Sequence, residues 1–271
     1  MDFMSAIGWI LAVVLVVGSI MLGEDPNTGK TILDAKQLIG FWDPASVAIV
    51  IGGTITAMMV SYPLKQFAKI PKHLKIVLFP PKYDPKAYID QILFFAKEAR
   101  INGLLALEDK LNEVQDPFLK NSLLLVVDSV EPEKVKSLLN NELDYLEERH
   151  GLDMAFYAKG SEFAPAFGMV GTLIGLINLL ANLSDSDALA SSMSVALVTT
   201  FYGVILANVL FKPIGNKLKM RHEEEDLCKM IISEGVQAIQ DGDNPAFIEE
   251  KLMRLLPSKL SAAGVQKSKE A

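Results

Sequence analysis

The sequence has few of the residues that enzymes and metal proteins place at their sites. Its 271 residues include one cysteine, Cys228, and only three histidines. A lone thiol cannot close an internal disulfide, and no metal-ligand spacing surrounds this one. His73, His150 and His222 stand far apart in the sequence without a nucleophile beside them. The sequence therefore predicts no catalytic site, no metal site and no cofactor.

Basic tracts are also missing. The formal net charge is −7, which argues against nucleic acid as a partner. Half of the residues are hydrophobic although 22% are charged, so apolar blocks alternate with charged ones. Four blocks contain no Asp, Glu, Lys, Arg or His, and each is long enough to span a bilayer, which takes roughly 20 residues. These blocks are residues 3–22, 44–62, 163–183 and 189–211.

The distribution of basic residues predicts the orientation of these spans. Lysines and arginines crowd segment 63–160 and the tail after Phe211, whereas link 184–188 has none. Link 23–43 has two lysines against four acids. Because basic loops stay inside, segment 63–160, the tail and both termini are predicted to be cytoplasmic. The first block has no basic region before it and no A-x-A-like site after it, so we interpret it as a span and not a signal peptide.

The predicted fold is an all-α integral membrane protein with four transmembrane helices. A helical cytoplasmic insert separates the second and third helices, and a helical cytoplasmic tail follows the fourth. The predicted divisions are a first helix pair at 1–62, a cytoplasmic insert at 63–160, a second helix pair at 161–211 and a cytoplasmic tail at 212–271. We expect no strand.

Local signals refine the insert. Residues from Ala87 to Val114 show apolar spacing typical of helices. Another helix is predicted to begin at Pro132 and to stop at Gly151. The lysine-rich stretch at the start of the insert has two interpretations: a helix on the membrane surface whose lysines reach lipid phosphates, or ordinary basic residues flanking a span.

The third and fourth spans carry small and polar residues on one face. At 100° per residue, this stripe on the third span includes several glycines and two asparagines. Its members are Ala164, Gly168, Gly171, Gly175, Asn178 and Asn182. The stripe on the fourth span comprises Ser192, Ala196, Thr199, Gly203 and Ala207. In lipid, small residues let helix backbones approach closely, so these faces are predicted to be contact faces. Thr172 and Thr200 lie on the flanks of the two stripes.

No Asp, Glu, Lys, Arg or His lies inside any of the spans, so none of them has a group that titrates near neutral pH. Pumps and transporters usually carry an ionisable residue in the membrane. Hydroxyls and carbonyls can line an ion path, but they cannot hold and release a proton near neutral pH. If ions pass, the titrating group is expected to come from another chain. The alternative is a self-sufficient channel or solute transporter. The sequence shows no repeated half, which argues against the common transporter folds.

Several segments resemble the MotA/PomA family of flagellar motor stator subunits. They are "ARINGLLALE" in the insert, "APAFGMVGTLIGL" in the third span and "ALVTTFYGVILANVLFKPIGNKL" from the fourth span onward. The resemblance covers nearly the whole chain. The related ExbB and TolQ energisers of envelope transport, which remain an alternative, have one span before the insert, whereas this chain has two.

The resemblance implies an ion-driven torque generator in the bacterial inner membrane. It implies a homo-pentamer around two copies of MotB, a single-span partner anchored to peptidoglycan that supplies an intramembrane Asp. It also implies that the insert pushes the rotor protein FliG. The only transported species would be a proton or a sodium ion, with the proton first.

Site residues follow from the same resemblance. Arg100 and Glu108 match the family's charged pair for the rotor, and their eight-residue spacing is expected to place them on one helical face. Pro165 and Pro213 match prolines that couple ion binding to movement. Thr200 matches the threonine near the partner's Asp.

Two points about the hydroxyls stay open. The helical projection favours Thr199 over Thr200 as the more central residue of its face. Thr172 matches a position that is a hydroxyl in sodium-type members and often small in proton-type ones, which favours sodium.

Overall fold

The computed structural model describes residues 2–24 and 31–256, and these residues are nearly all helical. The α-helices are α1 (Phe3–Met21), α2 (Pro44–Val47), α3 (Gly53–Ser61), α4 (Leu64–Phe67), α5 (Ile70–Leu78), α6 (Pro85–Asn102), α7 (Pro117–Val127), α8 (Pro132–Ala181), α9 (Ser186–Ile205), α10 (Lys212–Gln240) and α11 (Pro245–Met253). Two 3-10 helices, Ala35–Phe41 and Leu104–Glu113, and two π-helices, Ala48–Gly52 and Leu206–Phe211, complete the helical structure of the described residues.

Four helices begin with the same local chemistry. An Asp or Asn caps the first turn through its side chain, and a proline follows it at the start of α2, α6, α7 and α11. At α7, for example, a carboxylate oxygen of Asp116 accepts a hydrogen bond from the Leu119 backbone N–H at 3.0 Å. Proline is favourable there because its position lacks an intrahelical partner for an N–H in any case. An Asp or Asn followed by proline is therefore a local signal for these helix starts.

Four helical stretches of the described residues are long and apolar enough to cross a membrane. They lie in Phe3–Met21, Pro44–Ser61, Pro132–Ala181 and Ser186–Gln240. The first of them, α1, has no buried residue, so its apolar surface is free for lipid or for other chains. The four apolar blocks of the sequence thus correspond to four membrane-length helical stretches.

Two long helices differ from the expected boundaries. The predicted stop at Gly151 is wrong, because α8 continues through it to Ala181. The fourth span likewise runs on: α9, the π-helix and α10 form continuous helical structure from Ser186 to Gln240. A single glycine costs a helix interior only about 1 kcal/mol relative to alanine. A cost of this size does not stop a helix as long as α8, so the helix continues through Gly151.

The expectation of no strand is also wrong, although the sheet is small. Strand β1 (Leu22–Glu24) pairs antiparallel with β2 (Thr31–Leu33), with Leu22 opposite Leu33. The two strands follow the end of α1 directly. Three-residue strands are too short to show apolar alternation, which explains why the sequence pattern gave no signal for them.

The described residues form two compact units. One comprises those within Met1–Pro81 and Gly151–Lys219, and the other those within Lys82–His150 and Met220–Ala271. The first contains a core cluster of Met58, Val77, Phe156, Tyr157, Ile214 and Leu218. The second has a larger aliphatic core that includes Ile92, Leu119, Leu123, Ile231 and Leu252. The boundaries predicted from the sequence concern the membrane, and they stay predictions.

Candidate functional site

The small residues of α8 and α9 bring the two helix backbones into contact. A Cβ added to Gly175 would lie 2.7 Å from the backbone nitrogen of Ala196 and from the carbonyl oxygen of Ser192. A Cβ on Gly203 would lie 2.7 Å from the carbonyl oxygen of Ala164. Real Cβ atoms do not approach backbone so closely. Glycine is therefore required at these positions for this helix separation.

Gly168 and Gly171 extend the same contact. A Cβ on Gly168 would lie 3.1 Å from the carbonyl oxygen of Thr199, and a Cβ on Gly171 would collide with the Thr199 side chain. Residues at positions 164, 168, 171 and 175 are buried, but Asn178 and Asn182 are exposed. The Asn182 amide donates to the carbonyl of Asn178 in its own helix. The contact face of α8 is therefore shorter than the stripe drawn from the sequence.

Thr172 and Thr200 meet at the edge of this contact. Their Oγ1 atoms are 2.5 Å apart, so one hydroxyl donates to the other. Each Oγ1 also lies within hydrogen-bond distance of the Ala196 carbonyl oxygen, at 3.1 Å for Thr172 and 3.3 Å for Thr200. Thr172 is half-buried and Thr200 is exposed. Two hydroxyls and one carbonyl thus form a cluster of oxygens that remains accessible from outside this chain.

Thr199 has a different environment from its neighbour. Its residue is fully buried. Its hydroxyl donates back within α9, with the carbonyl oxygens of Val195 and Ala196 at 2.8 and 3.1 Å. Thr200 also bonds back to the Ala196 carbonyl, so it is burial, and not back-bonding alone, that closes the Thr199 hydroxyl to a ligand. Thr199 is thus central to the contact between α8 and α9, where it packs against Gly168 and Gly171.

The oxygen cluster offers ligands without proton chemistry of its own. Hydroxyl and carbonyl oxygens suit hard cations and water. Residues 163–183 and 189–211 contain no Asp, Glu, Lys, Arg or His that could titrate beside them. Among residues 2–24 and 31–256, no group of three or more metal-ligating His, Cys, Asp or Glu side chains occurs. The arrangement can guide a small cation, but a titrating group must come from elsewhere.

The two prolines both lie within helical structure, Pro165 in α8 and Pro213 in α10. Pro165 is inside α8, where its missing N–H leaves the carbonyl of Ser161 without its usual helical donor. Its Cα would be 3.1 Å from a Cβ on Gly203, so the proline packs directly against α9. Pro213 is the second residue of α10 and follows the π-helix Leu206–Phe211. Both prolines therefore interrupt helical hydrogen bonding next to the contact face.

Arg100 and Glu108 do not share one helical face, so that expectation is wrong. Arg100 lies in the last turn of α6, which ends at Asn102. Gly103 then adopts a positive φ of 82°, a conformation that favours glycine. Glu108 follows on the 3-10 helix Leu104–Glu113. Both side chains are exposed, which is compatible with a contact to another protein.

The 3-10 helix is anchored to α6 at two levels. Leu107 and Leu111 are buried in the aliphatic core. The Lys110 ammonium forms a 2.6 Å ion pair with Glu98 of α6. The side-chain hydrogen bonds from Lys110 and Asn102 lower the pKa of the Glu98 carboxyl. Glu108 is thus carried on a segment whose position relative to α6 is fixed by packing and charge.

A buried polar cluster was missed by the sequence analysis, which treated His73 as isolated. His73 is only 3% exposed. Its Nε2 is 3.3 Å from Asp153 Oδ2, and its Nδ1 is 3.0 Å from the Tyr157 hydroxyl. Asp153 Oδ1 accepts from Gln66 at 2.5 Å and from the Lys69 ammonium at 2.6 Å. Through these five polar side chains, α4 and the start of α5 are connected to α8.

Burial and hydrogen bonding together set the ionisation of this cluster. Burial lowers the pKa of His73, and this outweighs the neighbouring Asp153 carboxylate, which raises it. For Asp153, burial raises the pKa. Hydrogen bonds from Lys69 and Gln66 and the charge of Lys69 lower the pKa by more than burial raises it, so the net shift is downward. A neutral His73 that donates from Nε2 to Asp153 and accepts at Nδ1 from Tyr157 satisfies all three groups.

Helical spacing carried a signal for this cluster. Gln66, Lys69 and His73 are three and four residues apart, and Asp153 and Tyr157 are four apart. This spacing would place each set on one face of a continuous helix, although in the structure α4 ends at Phe67 and α5 begins at Ile70. The sequence could not reveal that the two faces meet, since 84 positions separate His73 from Tyr157.

Comparison with known proteins agrees with this architecture. A sequence model of the MotA/TolQ/ExbB proton channel family matches residues 110–230. Motility protein A of Borreliella burgdorferi is 44% identical over 219 residues, which cover 81% of this chain and 84% of that protein.

Solved structures give the same result for the fold. The structure of MotAB from C. jejuni aligns with a TM-score of 0.81 at 30% identity, covering 95% of this chain and 97% of that one. The flagellar MotAB stator complex from Bacillus subtilis aligns with a TM-score of 0.80 at 32% identity, with coverage of 95% and 97%. The family resemblance found in the sequence is thereby confirmed. The chain belongs to the motility protein A family, within the MotA/TolQ/ExbB proton channel proteins, which are ion channel components rather than enzymes.

Proposed function

We propose that this chain is the channel-forming subunit of a flagellar motor stator, which converts ion flow across the inner membrane into torque on the rotor. The observation that carries the proposal is the accessible oxygen cluster of Thr172, Thr200 and the Ala196 carbonyl. The two spans that carry it, residues 163–183 and 189–211, contain no Asp, Glu, Lys, Arg or His. A motility protein A relative and stator complexes of closely similar fold support the motor assignment.

The proposal includes a partner that supplies the missing titrating group. A MotB-like single-span chain would place its Asp beside the exposed hydroxyl of Thr200, and two such chains would stand inside a pentamer of this subunit. The exposed apolar surface of α1 is available for lipid around such an assembly. Both solved relatives are described as MotAB, which supports a MotB partner.

The ion is proposed to be the proton first, with sodium as the alternative. A proton would be carried by the partner's Asp and relayed past the hydroxyls. A sodium ion would need oxygen ligands, and Thr172, Thr200 and the Ala196 carbonyl offer three within 3.3 Å of one another. Swimming speed with and without sodium at a constant proton gradient distinguishes the two ions.

The proposal includes a topology in which the spans lie in the inner membrane and both termini lie in the cytoplasm. Segments 1–62 and 161–211 would form the membrane part. Segments 63–160 and 212–271 would lie in the cytoplasm, where the exposed Arg100 and Glu108 contact the rotor protein FliG. Pro165 and Pro213 would let the second helix pair bend as the ion passes.

The hydroxyl of Thr200 provides the central test. Thr200→Ala in the intact stator is expected to reduce ion-driven rotation strongly, because the oxygen cluster loses a member, while the complex still assembles. Thr200→Ser keeps the hydroxyl and is expected to restore much of the rotation. Thr56→Ala is the matched control, since the hydroxyl of the exposed Thr56 only donates back to Gly52 in its own helical stretch. Unchanged torque in Thr200→Ala would refute the ion-path role of this hydroxyl.

The rotor contact has a separate test. Arg100→Glu and Glu108→Lys are each expected to weaken swimming by at least several-fold while the amount of protein in the membrane stays normal. Both side chains are exposed, so the reversals should leave folding intact. Lys136→Glu, an exposed charge reversal on α8, serves as the control. Normal swimming of both variants would remove these residues from the rotor interface.

A further inference from the structure

The helical path changes character where the fourth span ends. α9 gives way at Leu206 to a π-helix that extends to Phe211, and α10 begins at Lys212. A π-helix bonds each carbonyl to the N–H five residues ahead, and such insertions are rare and frequently mark functional sites. Pro213 follows within two residues. The junction between α9 and α10 therefore combines two independent departures from α-helical bonding.

Pro213 removes one specific hydrogen bond at this junction. The π-helix ends with the Lys212 N–H bonded to the Ala207 carbonyl, five residues back. Where the chain returns to α-helical bonding in α10, the carbonyl of Val209 would accept from a backbone N–H at position 213. Proline has no such hydrogen. A carbonyl in an apolar environment that lacks its helical donor is destabilising unless another donor reaches it.

Trp9 of α1 supplies a donor to that carbonyl. Its indole Nε1–H donates to the Val209 carbonyl oxygen at 2.9 Å. An indole nitrogen can only donate, so this contact is suited to a carbonyl left open by proline. The ring is half-buried and packs against the core cluster that includes Met58 and Ile214.

The rest of α1 explains why this contact matters. No residue of Phe3–Met21 is buried, so packing alone holds the helix weakly. Its N-terminal end is held by an ion pair between Asp2 and Lys217 of α10, and by the Asp2 backbone N–H, which donates to the Leu78 carbonyl at 2.8 Å. Trp9 thus joins α1 to the region of the Pro213 junction by a hydrogen bond, in addition to the ion pair at Asp2.

A pocket beside the contact gives the junction room to move. It has a volume of about 280 Å³, and its lining includes Gly8, Trp9, Val77, Val209 and Pro213. Most of the lining surface is apolar, so water does not readily replace the indole as a donor to the carbonyl.

We propose that Trp9 is a positioning residue for the coupling proline. Its indole N–H binds the carbonyl that Pro213 leaves open, stabilises the π-helical junction 206–213, and makes α1 the support against which the end of the fourth span bends. This inference rests on the proposed coupling role of Pro213. Breaking and remaking the Trp9 bond would then accompany each bending step.

The first experiment compares the two tryptophans of the chain. Trp9→Phe keeps an aromatic ring but loses the N–H, and Trp42→Phe is the matched control because Trp42 is 69% exposed. Hydrogen exchange of the amides in 206–214 is measured in the purified full stator complex. Trp9→Phe is expected to speed this exchange roughly fivefold, the population shift of about one net hydrogen bond. Equal exchange in Trp9→Phe and Trp42→Phe would overturn the proposal.

A double-mutant cycle tests whether the effect passes through Val209. Pro213→Ala restores a backbone N–H at position 213, which can bind the Val209 carbonyl. Trp9→Phe is then expected to change exchange much less in the Pro213→Ala background than in the native one. An equal effect in both backgrounds would show that Trp9 acts by packing and not through the carbonyl, and the proposal would fail.

A second form of the substitution guards against simple misfolding. In the Trp42→Phe background, a tryptophan analogue that has sulfur in place of the indole N–H is incorporated at position 9. It keeps the size of the ring and removes only the donor. Faster exchange in 206–214 supports the proposal, and native exchange overturns it.

Rotation speed separates this inference from the proposed function. Trp9→Phe is expected to slow rotation, and Trp42→Phe is not. If Trp9→Phe loosens the junction but leaves rotation normal, the positioning role is refuted while the stator function stands. If Thr200→Ala also leaves rotation normal, the ion-path proposal itself is refuted, and the exchange data still report on the Trp9 bond.

Discussion

The α8–α9 contact in the first compact unit and the core of the second unit use opposite kinds of side chain. In the first, α8 and α9 meet through Gly171, Gly175, Gly203 and Ala196, with backbone against backbone. In the second, the helices pack through large aliphatic residues, which include Ile92, Leu119, Leu123, Ile231 and Leu252. Lipid is as apolar as leucine, so burying leucine between membrane helices gains little free energy. Membrane helices are therefore stabilised more by close packing of their backbones. In water, the buried apolar area itself stabilises the core.

The largest expected effect comes from filling the glycine contact. Gly175→Val is expected to prevent the α8–α9 contact, because its Cβ would lie 2.7 Å from two backbone atoms that cannot move aside. The stator complex should then be nearly absent from membranes, as measured by its yield after detergent extraction. Gly18→Val is the control, since a Cβ at Gly18 meets nothing within 4 Å. A normal yield of Gly175→Val would show that the two helices can separate without loss.

A smaller effect is expected from emptying the aliphatic core. Leu119→Ala removes a fully buried side chain and should destabilise the protein by about 2–5 kcal/mol. Thermal unfolding of the full chain in detergent would record this as a lower Tm. Leu138→Ala, at a side chain that is 51% exposed, should change Tm little. If both variants unfold alike, the second unit does not depend on its aliphatic core in the manner proposed.

The smallest expected effect is on the pH dependence of stability, which should change with His73 but not with the hydroxyl cluster. The folded state lowers the pKa of His73 through burial, so the unfolded chain binds a proton more readily. The associated stability is present above the ordinary His pKa of 6.5 and is lost as pH falls through the lower folded value. The lowered pKa of Asp153 acts in the same direction at more acidic pH.

The measurement is Tm of the purified complex between pH 8 and pH 5. The wild type is expected to lose stability toward pH 5, and His73→Gln should have a flatter profile in this range. Thr200→Ala should have the wild-type slope, because its hydroxyl does not titrate there. An unchanged slope in His73→Gln would mean that this buried histidine does not govern the pH response.

The sequence predicted the membrane helices and both small-residue faces because these depend on composition and local periodicity. Four uncharged blocks need no tertiary information to be recognised. The glycines of α8 and the small residues of α9 follow the helical period, so each face could be drawn before its partner was known. The Asp–Pro starts of α2, α6 and α7 are equally local signals.

Local signals failed where packing outweighs them. Gly151 is a favourable helix stop, yet α8 runs through it. Gly103 was placed inside a helix, yet its positive φ ends α6 and separates Arg100 from Glu108. Glycine permits both continuation and termination, and the surrounding contacts decide between them.

By itself, the sequence determined that this protein enters a membrane, that two of its helices carry small-residue contact faces, and that its four apolar blocks contain no Asp, Glu, Lys, Arg or His. Only the tertiary structure decided which hydroxyls meet. Thr172 and Thr200 lie 28 positions apart, and Trp9 and Val209 lie 200 apart. Such contacts depend on the register and separation of helices. These are set by the summed packing of many residues, so no single stretch of sequence contains them.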